Sequence, residues 1–436
     1  MAGLEYLPSE VVEEILLLLD PRDVAQFAQT CSDYHALVYD QEDQHLWREL
    51  YLQQPFDDPR RTVTSLGRPV SAIDWKTELQ RIMRVQTVLT RGPMEFSPEE
   101  RCNVLRTLIR LVNNVIPATH VDSIDPSPNH AWVTVMVRAS PILEVDYSST
   151  DISSEEKQLR ARLHTYYGIT LDDRRLAQRN ASRVFVYAMR NYKWDNEFGP
   201  FMMDGSGRVN WVHVRAIHHV MSMHIVPELD PEQEDPEAFT LFPMSMPWTL
   251  SIIPNGVNLD EVRDWAGVTG RWQCSFCFCD HRELLIFNNF NNNDEEPLHT
   301  AIFDDPEFVE VFRSISVDLR VLSTEEDSDH PGRPRINFGG SIDGTANTAT
   351  IVGYVKVTPD DEIRWHFTSG ENGSSIWSSE GVQVGNVRSK FGVLGSWTTV
   401  LHDRHDPVGP FWLWKTNDAE EQVAQGTNTN GTATAT

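Results

Sequence analysis

Apolar residues near the start of the chain recur at helical spacing. Val11, Val12, Ile15, Leu16 and Leu19 fall three and four apart and form one stripe, which Leu18 widens beyond what a surface helix needs. Pro8 suits the first turn of that helix, and Glu10, Glu13 and Glu14 sit early in it, where the helix dipole favours acids. Asp20-Pro21-Arg22-Asp23 is a second start signal, an Asp cap with Pro at the first helical position. The helix it opens carries Val24, Phe27, Ala28 and Cys31 on one side. Asp40 is the expected cap of a third helix, with Leu46, Trp47, Leu50 and Tyr51 as its apolar set. After a polar stretch from Pro55 to Pro69, helical periodicity returns at Ile73, Leu79, Ile82, Met83 and Leu89. Ser97-Pro98-Glu99-Glu100 and Ser153 with Glu156 are capping boxes that open two further helices, the second ending at Gly168. Between them the run Trp132 to Val137 reads as either helix or strand.

Past residue 180 the pattern shortens to β-type segments separated by turn chemistry. Strands are expected at Val184 to Met189, Val209 to Val214 and Thr249 to Ile253, with turns at Asp204-Gly205-Ser206-Gly207 and Pro254-Asn255-Gly256. Further strands are expected at Gly270 to Phe278, Glu283 to Phe287, Val317 to Leu322, Ile336 to Ile342, Thr350 to Val357 and Ile363 to Thr368. Ser375 to Val384, Val393 to Thr398 and Phe411 to Trp414 complete the set. Many short strands with frequent glycine favour an antiparallel barrel or sandwich, so the fold class is α+β. Acidic loops interrupt the sheet at Leu229 to Ala238, Asn291 to Pro297 and Thr324 to Pro334. The Thr/Asn/Gly/Ala-rich stretch 419–436 has no apolar anchors and reads as a disordered tail.

Composition excludes several classes. With 64 acids against 37 bases the net charge is −27, the wrong sign for binding nucleic acid or an anionic membrane surface. The start of the chain has neither the basic residues nor the cleavage site of a secretory signal. The longest apolar run, Ile15 to Leu19, falls far short of the ~20 residues a membrane span needs. A soluble protein of the cytoplasm, the nucleus or both is expected. Five scattered cysteines do not suggest a disulfide framework.

Cys274-x-x-Cys277-x-Cys279-x-His281 has the residue types of a zinc site. On a strand, however, Cys274 and Cys277 point to opposite faces, so structural cysteines are the expectation and no metal is assigned. The histidines His213, His218, His219 and His224 cluster in sequence and read as hydrogen-bonded or solvated side chains. No nucleophile elbow, phosphate loop, dinucleotide fingerprint or metalloprotease motif is present, so no catalytic residue and no cofactor are assigned.

The ordered string Leu7-Pro8-x-Glu10, Ile15-Leu16-x-x-Leu19-Asp20-Pro21-x-Asp23, Ala28, Thr30-Cys31 and Trp47 resembles an F-box. That family docks substrate receptors onto a Skp-type adaptor and, through it, a cullin–RING ubiquitin ligase. The resemblance implies a three-helix module over residues 1–54 with adaptor contacts from Leu7, Pro8, Val11, Val12, Ile15, Leu16, Leu19 and Pro21. Phe27 and Tyr34 depart from the family's usual Leu and Trp but keep the apolar character. Residues 55–178 then form a mostly helical linker domain, and 179–418 a β-rich recognition domain.

Near the C-terminus, Ile363-Arg364-Trp365-His366-Phe367, Trp377-Ser378-Ser379-Glu380-Gly381-Val382-Gln383-Val384-Gly385 and Gly409-Pro410-Phe411-Trp412 are similar to strings in F-box proteins of mushroom-forming fungi. Gly270-Arg271-Trp272 resembles the Gly-x-Trp start of lipocalin-like barrels. Arg364, Trp365, Trp377, Glu380 and Arg388 are the candidate target-binding residues, with Trp397, Trp412 and Trp414 as further rings that either line a pocket or fill the barrel. The resemblance implies a non-catalytic receptor presenting an unknown target protein for ubiquitination. The alternative is a ligand- or peptide-binding barrel with no ligase role.

Overall fold

The computed structural model describes residues 7–120, 127–144, 151–226, 242–290, 296–343 and 349–416. The expected tail and most of the first two acidic loops lie outside the described residues. The chain divides into two compact units. One comprises Met1–Thr64, Arg68–Ile116 and Pro126–Arg160, and the other Ser65–Gly67, Pro117–Asp125 and Ala161–Thr436.

The first unit is helical. It opens with α1 (Ser9–Leu16), α2 (Pro21–Ala28), α3 (Ser32–Tyr39) and α4 (His45–Leu52). The Asp20 side chain accepts from Arg22 N and Pro21 takes the first position of α2, as its start signal requires. The N-terminal module therefore has four helices, where three were expected. Thr30 Oγ1 donates to Phe27 O and closes α2, and the extended backbone of Cys31 restarts the chain as α3. Asp40 terminates α3 instead of capping α4. α3 carries no periodic signal in the sequence because only Leu37 and Val38 of it are buried, too few to set a period. Val12, Leu16, Val24, Ala28 and Leu50 form the inside of the module, and the Trp47 indole donates to Val38 O at 2.8 Å.

α5 (Trp75–Arg91), α6 (Pro98–Asn113) and α7 (Pro128–Arg138) complete the first unit, each with the expected or a newly found cap: Asp74, Ser97 and Ser127. The ambiguous run Trp132 to Val137 lies in α7 and is helical. α8 (Ser154–Tyr167) contains the division between the units at Arg160. At its start the fully buried Glu156 accepts from Arg101 Nε at 2.8 Å and from Arg160 Nε at 2.9 Å, so each buried charge has its partner.

The second unit continues with α9 (Leu176–Val186) and α10 (Trp211–Ser222) before the first strand. The strands are β1 (Gly270–Phe278), β2 (Val311–Glu325), β3 (Arg335–Ile342), β4 (Ala349–Val357), β5 (Ile363–Glu371), β6 (Ser374–Gln383), β7 (Val393–Thr399) and β8 (Gly409–Lys415), with α11 (His281–Phe287) between β1 and β2. Each strand pairs antiparallel with its neighbours in sequence, and β1 also pairs with β8, closing an up-and-down barrel. The choice between barrel and sandwich is thereby settled. α10 packs against β7 and β8.

Four expected strands are not strands of the barrel. Val184 to Met189 ends α9 and enters a short 3-10 turn, Val209 to Val214 enters α10, and Glu283 to Phe287 lies in α11. Thr249 to Ile253 makes one isolated bridge, between Ile252 and Ala118. Short apolar runs look alike in a strand and in a buried helix. α10 illustrates it: Trp211, His213, Val214 and every residue from Ala216 to Ser222 are buried, so no polar face marks a helical period. Its start was marked instead by Asn210, whose side chain accepts from His213 N, and that of α11 by Asp280.

Inside the barrel the alternation holds. Trp272, Val317, Ile336, Phe338, Val355, Trp365, Phe367, Val393 and Phe411 belong to one buried cluster, which also takes in Trp265 and Leu66. Gly381 and Gly395 face each other across β6 and β7, and a Cβ on Gly395 would stand 2.2 Å from the Glu380 backbone oxygen and 2.5 Å from Cε1 of Phe411. Gly395→Ala therefore overpacks the barrel, and we expect a loss of about 1–3 kcal/mol in a urea unfolding experiment. An unchanged midpoint would show that both the β6 backbone and Phe411 give way to the added methyl.

Candidate functional site

α1 carries two apolar rows, and the structure separates them. Val12 and Leu16 point into the module at 3% and 1% exposure. Leu7, Val11, Ile15 and Leu19 are 38–42% exposed, and Leu18 reaches 85%. Within α1, Val11 and Ile15 stand one turn apart on the same side of the helix axis, and Leu7 just before the helix and Leu19 in the turn after it are exposed as well. Pro8 is exposed beside them, whereas Pro21 is buried at the start of α2. Of the expected adaptor contacts, then, Leu7, Pro8, Val11, Ile15 and Leu19 are accessible, and Val12, Leu16 and Pro21 hold the module together from within. Leu18 extends the accessible face. Phe27 and Tyr34 pack on each other with ring centroids 4.2 Å apart, so the two family departures occur as a pair.

The candidate target-binding residues do not converge. Trp365 is fully buried inside the barrel, 5.1 Å from the Trp272 ring and 5.5 Å from Phe338, and has no surface to offer a partner. Arg364 and Glu380 are brought together, on the outer face of β5 and β6. Arg364 Nε donates to Glu380 Oε2 at 2.9 Å, its two Nη atoms donate to Glu197 at 2.7 Å each, and its guanidinium lies 4.5 Å from the Phe201 ring. His366 Nδ1 reaches the same Glu380 carboxylate at 2.6 Å. The Arg364 hydrogen bonds to Glu197 hold that carboxyl below its ordinary range. Burial would weaken an unpaired Arg364, but the two carboxylates more than offset it and keep it charged.

Arg388 adopts a left-handed backbone and donates to the Trp265 and Asp264 carbonyls, away from that cluster. There the segment around Trp265 closes the barrel end at which β1 begins, with the Trp265 indole donating to Pro334 O. Trp377 alone of the five is apolar and accessible, at 39% exposure, with Trp397 edge-on at 5.2 Å.

Cys274 belongs to the barrel core and Cys277 packs outside it, its sulfur 3.6 Å from that of Met221 on α10. Burial pushes the Cys274 thiol up to about 12, so it stays protonated and unreactive at neutral pH. Among the described residues no group of three or more His, Cys, Asp or Glu is placed to hold a metal ion. The clustered histidines each have a separate partner. His213 Nε2 meets Tyr192 Oη at 3.2 Å, His218 Nε2 meets Met244 O at 2.8 Å, and His219 lies between Ser182 Oγ and Asp173 O. His224 pairs with the buried Glu310.

Residues 4–53 match the family described as F-box-like. No solved structure matches the chain. Among the described residues no helix is long and apolar enough to cross a membrane.

Three of these histidines set an acid limit on the second unit. Burial lowers His213 and His218 to about 3 and His219 to about 4, so they remain neutral in the folded state while the unfolded chain protonates near 6.5. Stability is therefore full above pH 6.5 and falls as pH drops toward 4, each histidine contributing a slope of roughly 1.4 kcal/mol per pH unit. Glu362, raised to about 7 by burial, acts in the opposite sense and offsets about one such slope. Urea midpoints followed from pH 7 to pH 5 should fall steadily, and the fall should shrink in a His218→Asn variant. A flat profile would contradict the burial of these rings.

Proposed function

We propose that the chain is the substrate-recognition subunit of a cullin–RING ubiquitin ligase, docking a Skp-type adaptor through its N-terminal module. The observation that carries this reading is the accessible row Leu7, Val11, Ile15, Leu18 and Leu19 on a module that already has a complete core of its own. Such a row is costly to leave in water, since covering what is still exposed would gain about 1 kcal/mol for each of Leu7, Val11, Ile15 and Leu19 and about 2 kcal/mol for Leu18. Its coincidence with the F-box-like match supports an adaptor as what covers it. The barrel supplies the other end of the receptor.

The chain's part in ubiquitin transfer is positional. Holding a target beside the ligase converts a bimolecular encounter into a local one and raises the effective concentration of the target's lysines. That role needs no catalytic side chain and no cofactor from this protein, and it places the protein in the cytoplasm or nucleus with the ligase.

The test is co-elution and calorimetry of the full chain with a Skp-type adaptor. Val11→Asp and Ile15→Asp each place a charge on the accessible row and should weaken binding by about 30-fold or more, with the circular dichroism spectrum unchanged. Val12→Ala, one turn position inward, should lower the unfolding midpoint instead. Undiminished binding by both Asp variants, or no complex with the unsubstituted chain, would overturn the reading.

A further inference from the structure

The barrel has one end that Trp265 does not close, where β1 finishes and β1, β6 and β7 present inward-facing rings. Register places Phe276 and Phe278 on the inside of β1, Trp397 on that of β7 and Trp377 on that of β6. The rings form an arc: Trp377 meets Trp397 at 5.2 Å, Trp397 meets Phe276 at 6.5 Å, and Phe276 meets Phe278 at 6.1 Å. The arc crosses β8 at Gly409, where a Cβ would stand 2.7 Å from the Trp397 indole nitrogen. Glycine at that position lets the Trp397 ring lie flat across the strand and donate to Cys277 O. Arg313, paired in register with Phe276, ends the arc, with its guanidinium 5.8 Å from the Phe278 ring. Among the described residues Arg313 has no carboxylate partner, in a chain with 64 acids and 37 bases. Phe367 and Phe411 pack beside the arc and fill the interior behind it, so the recess is shallow.

We propose that this rim is the target-facing site of the receptor, and that it takes an internal peptide segment in which an aromatic side chain is followed by an acidic one. The inference rests on the receptor reading above and names the chemistry of its target. The aromatic ring lies against Trp377 and Trp397, where offset and edge-on contacts are favourable, and the carboxylate reaches Arg313. β2 and β6 stand on opposite sides of an eight-stranded ring, so the apolar contact and the cation are separated by the width of the mouth. That separation favours an acid on a neighbouring residue over a terminal carboxylate on the aromatic residue itself. The closed barrel has no free strand edge, so the peptide is gripped by side chains and not by added β-pairing.

The experiment uses the full chain labelled with 5-fluorotryptophan, its Trp377 and Trp397 resonances assigned from Trp377→Phe and Trp397→Phe variants. Three short probes are titrated: an acetylated, amidated peptide with Phe-Glu at its centre, the same peptide with Phe-Gln, and a peptide ending in Phe with a free carboxylate. The Phe-Glu peptide should shift both resonances saturably, and the Phe-Gln peptide and an Arg313→Gln variant should each bind about fivefold more weakly. Unmoved resonances of the other tryptophans show that the variant is folded. No shift with millimolar Phe-Glu peptide, equal affinity in Arg313→Gln, or tighter binding of the free-carboxylate peptide would overturn the proposal. Adaptor binding is measured on the same variants and should be unchanged, so loss of this site and loss of adaptor docking are separate outcomes.

Discussion

The pairing of β1 with β8 is the constraint on which the second unit depends. A sheet of eight strands that closes on itself leaves an interior just wide enough to be filled by its own side chains. Trp272, Phe338, Trp365, Phe367 and Phe411 occupy that space, and glycines at 381 and 395 give way to them. Closure thus spends the inward face on packing and abolishes the edges. What remains available for recognition is the outside of the wall and the two rims, one of which Trp265 covers. The outer wall is partly taken as well, because Arg364 and Glu380 are engaged with Glu197 and His366. A buried guanidinium without two carboxylates beside it would be severely destabilising, so this cluster is spoken for by the fold.

The N-terminal module solves a different problem. Its four short helices together bury Val12, Leu16, Val24, Ala28 and Leu50, yet keep a second apolar row outside. An apolar side chain serves the core in one row and stands exposed in the next, and the chemistry of the two rows is the same. Only position around the helix axis separates them.

That ambiguity explains what could be read from residues alone and what could not. All eight barrel strands were legible, because Ile363, Trp365 and Phe367 alternate with Arg364 and His366 in the way a half-buried strand must. α10 was not, since a helix buried on all sides has no period to detect. Trp365 and Trp377 have the same parity on the barrel wall, so alternation puts both inside. Their difference is depth along the barrel axis, which no local pattern encodes. Arg313 was missed for a related reason: β2 was expected from Val317, but it begins at Val311, and the inward positions Val311, Arg313 and Ile315 break the apolar run with a cation. On α1, the split between Val12 with Leu16 and Val11 with Ile15 was equally invisible, since both pairs fit one broad stripe.

Closure by the last strand also orders events during synthesis. The F-box-like module lies within the first 53 residues, whereas β1 gains its second neighbour only when Gly409–Lys415 arrives. A growing chain on the ribosome therefore carries a finished N-terminal module for most of the time that β1 and β7 have unsatisfied edges. On the receptor reading proposed above, nascent chains reach an adaptor before they can hold a target, and a message truncated ahead of Gly409 encodes an adaptor-bound chain with unpaired strand edges and no completed rim.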